Sequence, residues 1–122
     1  MDWPPDPDTL DTMLRAPEST LLERKREWYD FATKAGKAEF AKDVLAMANG
    51  TRAGLPGHII IGVEDERAGG RIVGIKSPPA TEQLQQILTS YTSPVPDLRC
   101  AHVQFAGKTI SVLRIVWTEF HP

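Results

Sequence analysis

His58-Ile59-Ile60-Ile61-Gly62-Val63 is an apolar, β-branched run with loop-forming residues on both sides. A strand with one wet face alternates polar and apolar positions; this run does not, so it reads as a central strand buried on both faces. Upstream, Lys34 to Asn49 carries Ala38, Ala41, Leu45 and Ala48 at helical spacing, with Phe40, Val44 and Met47 widening the apolar face. Asn49-Gly50 supplies a helix stop. Downstream, Arg67-Ala68-Gly69-Gly70 reads as a turn into a second strand, Arg71–Ile75, completing a hairpin. Thr81 to Tyr91 is predicted as a helix with Thr81 as N-cap and Leu84, Ile87 and Leu88 facing inward. After Pro94 and Pro96, Leu98–Phe105 and Thr109–Trp117 form another hairpin about Gly107.

The beginning of the chain is less regular. Residues 1–17 form an acidic, Pro-rich lead in which Asp8 caps a short helix to about Arg15, ended by Pro17. Residues 19–31 are ambiguous: Leu21, Lys25 and Trp28 share a helical stripe, and propensity favours helix over a strand at Thr20–Arg26. The pattern gives an α/β (α+β) domain: a mixed sheet of about five strands with two main helices. Its expected core includes Leu45, Ile60, Ile61, Val63, Ile72, Leu84, Ile87, Val112 and Ile115.

Composition sets the outer bounds. The 122 residues suffice for one domain, and 41% hydrophobic with 25% charged residues is ordinary for a globular chain. A single cysteine, Cys100, excludes an internal disulfide framework and fits a reducing compartment. With no secretion signal and no apolar run of roughly 20 residues, a cytoplasmic protein without a membrane span is expected. The net charge of −2 conceals a division: residues 1–17 carry −3 and the remainder +1. Arg24, Lys25, Arg26, Lys34, Lys37 and Lys42 crowd into one region, and local charge decides whether phosphate is attracted.

Several motifs fail their own requirements. Gly107-Lys108-Thr109 resembles a P-loop end, but position 102 is His102 and a strand follows; Gly36-Lys37-Ala38 lacks the hydroxyl residue, so no Walker-type ATPase motif is present. His58, His102 and His121 lack zinc spacing. An acidic constellation survives. Asp65 follows the buried strand, and Glu18 and Glu23 converge with it only if Glu18 sits on the turn before an element that begins near Thr20. Three carboxylates so gathered would suit Mg²⁺ or Mn²⁺, with Lys25 beside them for phosphate; the bland alternative is solvated carboxylates at element ends.

At these residues the chain resembles the Schlafen-type AlbA domain. The matching pieces are Glu18-Ser19 with Glu23-x-Lys25, Ala46-Met47-Ala48-Asn49, Ile59-Ile60-Ile61-Gly62-Val63-Glu64-Asp65 and Ile72-Val73-Gly74-Ile75, in the family's order. The resemblance implies that Thr20–Lys25 is a strand, that residues 18–122 form the domain, and that it binds nucleic acid. In animal Schlafen proteins three acids form a metal-dependent ribonuclease site for transfer or ribosomal RNA; the match places them at Glu18, Glu23 and Asp65. Many bacterial relatives carry the domain beside a helix-turn-helix segment and look regulatory. The chain departs from the family's Asn-Thr-x-Gly-Gly at Asn49 to Gly57, and it ends at His121-Pro122, where relatives run on. The domain is therefore expected to be truncated at its C-terminus, and because animal Schlafens clamp RNA between two pseudo-repeated lobes, a homodimer or a missing partner domain is expected to complete the groove.

The leading expectation is a nucleic-acid-binding domain, for DNA or RNA, using Arg24, Arg26, Lys34, Lys37, Lys42 and Arg52. The first alternative is an endoribonuclease with Glu18, Glu23 and Asp65 on Mg²⁺ or Mn²⁺ and Lys25 steadying the phosphate. The second is a protein-interaction domain with Trp3, Trp28 or Trp117 at an interface.

Overall fold

A computed structural model describes residues 3–51, 55–65 and 70–117. The elements run α1 (Pro7–Arg15), β1 (Leu22–Lys25), α2 (Lys34–Gly50), β2 (Gly57–Ile61), α3 (Thr81–Tyr91), β3 (Asp97–Phe105) and β4 (Lys108–Val116). The sheet has four strands in the order β1-β2-β4-β3. β1 and β2 are parallel, with α2 as the connection, while β4 is antiparallel to both neighbours.

The lack of alternation around β2 has a direct cause: both sheet faces are covered. Ile59, Ile61, Leu98, Leu113 and Ile115 pack against Phe40, Val44, Met47 and Ala48 of α2 and Leu84, Ile87 and Leu88 of α3. On the other face Leu22, Ile60, Ile110 and Val112 join Leu10 of α1 and Val63. Ile59, Ile60 and Ile61 are each wholly buried, worth roughly 1.5–3 kcal/mol apiece. The buried face of α2 centres on Phe40 and Val44; Leu45 is half-buried and Ala38 is exposed, so the expected stripe lies to one side of the true one.

Other expectations change at the edges. Arg71–Ile75 is not a fifth strand; only the Val63–Ile72 bridge forms. Gly70 and Gly74 hold φ of 66° and 83°, which interrupts extended backbone, and Ile72 is only half-buried. The segment still lies along the sheet end, with the Val73 and Gly74 N–H groups donating to the Gly62 carbonyl and that of Ile75 to Thr109. Of the expected turn before it, Arg67, Ala68 and Gly69 lie outside the described residues. β1 starts at Leu22, not Thr20, because Ser19 and Leu22 close a tight turn through reciprocal backbone bonds. The residue that caps α1 is Asp6, not Asp8: its carboxylate accepts from the Thr9 N–H at 2.7 Å, and Pro7 occupies the first helical position. α3 begins at Thr81 as expected, but Ala80 holds the N-cap position without a side-chain bond. Ala106 and Gly107, both with positive φ, make the two-residue turn that joins β3 to β4.

The long link from β1 to α2 is ordered by aromatic contacts. Phe31 and Tyr29 each meet Phe40 edge-on at 5.3 Å, and the Tyr29 hydroxyl donates to Asp43 at 2.7 Å. Thr33 caps α2 by accepting from the Gly36 N–H. Gly36 is required by close approach, since a Cβ there would overlap the Asp30 carbonyl oxygen.

Candidate functional site

β1 sorts its side chains strictly by face. Glu23 and Lys25 point towards α2, whereas Leu22 and Arg24 point towards α1, following the two-residue period of a strand. Arg24 is buried, and its guanidinium donates to the carbonyls of Met13, Leu14 and Ala16 at the end of α1. This positive group satisfies the helix's terminal carbonyls and is committed to the fold. Lys25 lies 3.7 Å from Glu39 and 4.4 Å from the centre of the Tyr29 ring.

The three carboxylates expected to share a cation do not converge. Glu18 precedes β1, accepting from the Arg24 N–H at 3.3 Å, and Glu23 is in register with Ile59. Asp65 lies beyond the opposite end of β2, where its carbonyl closes a loop with the Gly70 N–H. Among the described residues no group of three His, Cys, Asp or Glu side chains could hold a metal ion. The residues present therefore do not fit a resident Mg²⁺ or Mn²⁺ at Glu18, Glu23 and Asp65. Glu23 instead faces Asp43 of α2 across a cleft of about 200 Å³ that Ser19, Thr20, Ala46 and Met47 complete. Burial raises the Glu23 pKa; the Asp43 charge adds to that, Lys25 opposes it, and Glu18 and Glu39 add smaller pushes.

The expected cluster of cations is divided by the fold. Lys34 and Lys37 sit in the first turns of α2 and line a cleft against α3. Lys42 is exposed farther along α2, and Arg52 lies outside the described residues. Arg26, two residues after Arg24, is on the opposite footing, with its side chain 64% exposed. It lines a cleft of about 260 Å³ together with Arg71, Ile72, Val73 and Lys108. Beneath it Glu64, only 4% exposed, accepts from Arg71 Nη2 at 2.7 Å and stands 3.6 Å from Arg26 Nη1. One buried carboxylate thus fixes two guanidinium groups whose remaining donors face water. Such forks match phosphate oxygens in geometry as well as charge.

Both groups of cations lie at one end of the molecule. Lys25 reaches Glu39, so α2 begins beyond the carboxyl end of β1. Gly62 donates to the Lys25 carbonyl, and β4 starts at Lys108 alongside. Ligands of open sheets with parallel strands characteristically bind outside the carboxyl ends of those strands. Arg71 and Lys108 escaped the sequence reading because they are remote from residues 24–42. Their signal was position: each flanks a β-rich run at a turn.

Two other titratable groups, one buried and one half-buried, are shifted by their surroundings. His58 pairs in register with Arg114, and neither His58 Nε2 nor Arg114 Nε has a hydrogen-bond partner among the described residues. Burial, aided by the Arg114 charge, lowers the His58 pKa from its ordinary 6.5 to about 4. Burial also pushes the Cys100 thiol up to about 11, which leaves it a poor nucleophile.

The family described as Schlafen, AlbA_2 matches residues 18–122. No curated protein matches the chain. No helix among the described residues is long and apolar enough to cross a membrane.

Proposed function

The chain belongs to the Schlafen AlbA_2 family, and from that membership we propose that it is a nucleic-acid-binding domain that grips the phosphate backbone at the carboxyl end of β1 and β2. The observation that carries this reading is the cleft in which Arg26, Arg71 and Lys108 converge over the buried Glu64. Glu64 preorganises the two guanidinium groups, so less side-chain freedom is lost when phosphate arrives. Lys108 adds a cation from the β4 start. Contacts of this kind recognise a backbone and leave the choice between DNA and RNA to other groups.

Salt-dependent binding tests the proposal directly. Filter binding of duplex DNA and of structured RNA at several salt concentrations should give log affinity falling linearly with log salt. The double variant Arg71→Gln/Lys108→Gln should reduce the slope on duplex DNA by about 0.9 for each phosphate that is no longer neutralised. Arg26 remains in that variant to accompany Glu64, which keeps the buried carboxylate from being stranded. Absence of binding at low salt by a folded protein, or an unchanged slope in the variant, would overturn the reading.

Metal-dependent RNA cleavage, the runner-up from sequence, lacks a gathered ligand set among the described residues, and no step is assigned to it. The interaction-domain alternative rested on three tryptophans. Trp3, Trp28 and Trp117 are each partly buried against the two core clusters.

A further inference from the structure

The cleft between α2 and α3 measures about 420 Å³ and is lined by Lys34, Lys37, Gln83, Gln86, Ser90 and Tyr91 over an Ile87 floor. That size lies within the range of small-ligand sites, and its mixture of an apolar floor with a few polar groups is typical of them. Tyr91 is 43% exposed, one of two large hydrophobic side chains so exposed among the described residues. Its hydroxyl approaches the Lys34 carbonyl at 3.5 Å, too far for a strong bond, but this places the ring beside both lysines. No acidic residue in the first turn of α2 offsets the two cations.

We propose that this cleft is a stacking subsite for one unpaired base of a single-stranded nucleic acid. Tyr91 takes the base face and Lys34 and Lys37 take the flanking phosphates. The inference deepens the proposed function and rests on it. An aromatic ring on a basic groove recognises single strands because every base has a π-face, whereas in a duplex both faces of each base are already stacked. Gln83, Gln86 and Ser90 supply donors and acceptors for a base edge. Lys34 and Lys37 begin α2 beyond the carboxyl end of β1, the end at which Arg26 follows β1, so one strand tracking the backbone would meet both sets of cations.

Fluorescence anisotropy with labelled single-stranded RNA, single-stranded DNA of the same sequence, and the matching DNA duplex separates the outcomes. Tyr91→Ala should weaken single-strand binding by about 5- to 150-fold, the range for removal of one base stack, and leave duplex binding unchanged. Tyr91→Phe keeps the ring and should bind like wild type. Lys34→Gln/Lys37→Gln should lower the single-strand salt slope by about 0.7 for each phosphate left without its cation. An oligonucleotide of abasic residues should bind wild type and Tyr91→Ala equally. The RNA and DNA arms show whether a 2′-hydroxyl contributes. If Tyr91→Ala matches wild type on both single strands while Arg71→Gln/Lys108→Gln still weakens binding, the subsite is overturned and the backbone-binding reading stands. If wild type binds nothing, both fall.

Discussion

At the carboxyl end of the parallel β1–β2 pair, Arg26, Arg71 and Lys108 meet in an open cleft; at the amino end, Glu23 and Asp43 face each other in a half-buried notch. The first arrangement is compensated from below, because buried Glu64 offsets part of its self-repulsion and still leaves donors for a ligand. The second is only weakly compensated: among the described residues, Lys25 opposes the raised Glu23 pKa while Asp43, Glu18 and Glu39 add to it. Like charges that a fold gathers must be stabilised by a counter-charge, protonation or a ligand. The basic end has such a counter-charge built in, and the acidic end carries its repulsion as a stability cost.

The comparison depends first on α2 being held where its start joins the basic end. Gly36→Ala should be the most damaging change, because the new Cβ would collide with the Asp30 carbonyl, a backbone atom that cannot swing away. Overpacking of this severity costs about 3 kcal/mol or more and outweighs the roughly 1 kcal/mol that Ala gains over Gly in helix propensity. A urea titration would show it, and a midpoint equal to wild type would mean that the link from β1 to α2 shifts freely.

Arg24 provides the next break. Arg24→Met removes the guanidinium from the carbonyls at the α1 end, and the loss should be about 2–3 kcal/mol, as for hydrogen bonds made by a charged group. Its distinguishing feature is selectivity. The salt slope for nucleic acid should be unchanged once measured on folded protein, since the group never reaches the ligand. A reduced slope would return Arg24 to the binding surface.

That contrast shows what the sequence could and could not convey. The bounds of α2 and α3 and the β3–β4 hairpin follow from periodicity and turn chemistry, which are local. The burial of β2 follows from an unbroken β-branched run, also local. Arg24 and Arg26 look alike in sequence because both are arginines in one basic stretch. They differ because strand alternation turns Arg24 under α1, while Arg26 lies past the end of β1. Reading that difference required knowing that residues 22–25 form a strand, which helical propensity obscured. Arg71–Ile75 looked like a strand from its β-branched residues, but Gly70 and Gly74 adopt the left-handed backbone that breaks it. Arg71 and Lys108 join Arg26 only through the Gly62–Glu64 turn and the start of β4, contacts between segments far apart in the chain.

A pH titration probes the opposite sheet face. His58 titrates at about 4 in the fold and at 6.5 ordinarily, so between these values the unfolded chain binds more protons. Stability from the neutral imidazole is fully present above 6.5 and is lost as pH falls towards 4. The slope from this group is at most about 1.4 kcal/mol per pH unit. Relative to wild type, His58→Leu should flatten the acid limb of stability against pH. An identical limb in both proteins would show that His58 meets water or an acceptor when it charges.

The smallest expected effect is a gain, at Glu23. Its pKa is raised, so the folded protein holds this proton more tightly than the unfolded chain does. The ionised carboxylate therefore opposes folding above its folded pKa, and the penalty disappears below the ordinary glutamate value of 4.5. Glu23→Gln keeps the shape, removes the repulsion with Asp43, and leaves the Tyr29–Asp43 hydrogen bond intact. The variant should be more stable than wild type at neutral pH by up to about 1 kcal/mol, kept small because the group is half in water, and indistinguishable at pH 4. Urea midpoints at the two pH values check this. A variant less stable than wild type at neutral pH would mean that Lys25 outweighs the surrounding acids. Adding Mg²⁺ sharpens the test: if it stabilises wild type and not the variant, the amino-end notch gathers a cation after all, with Asp43 in the place that sequence reasoning gave to Asp65.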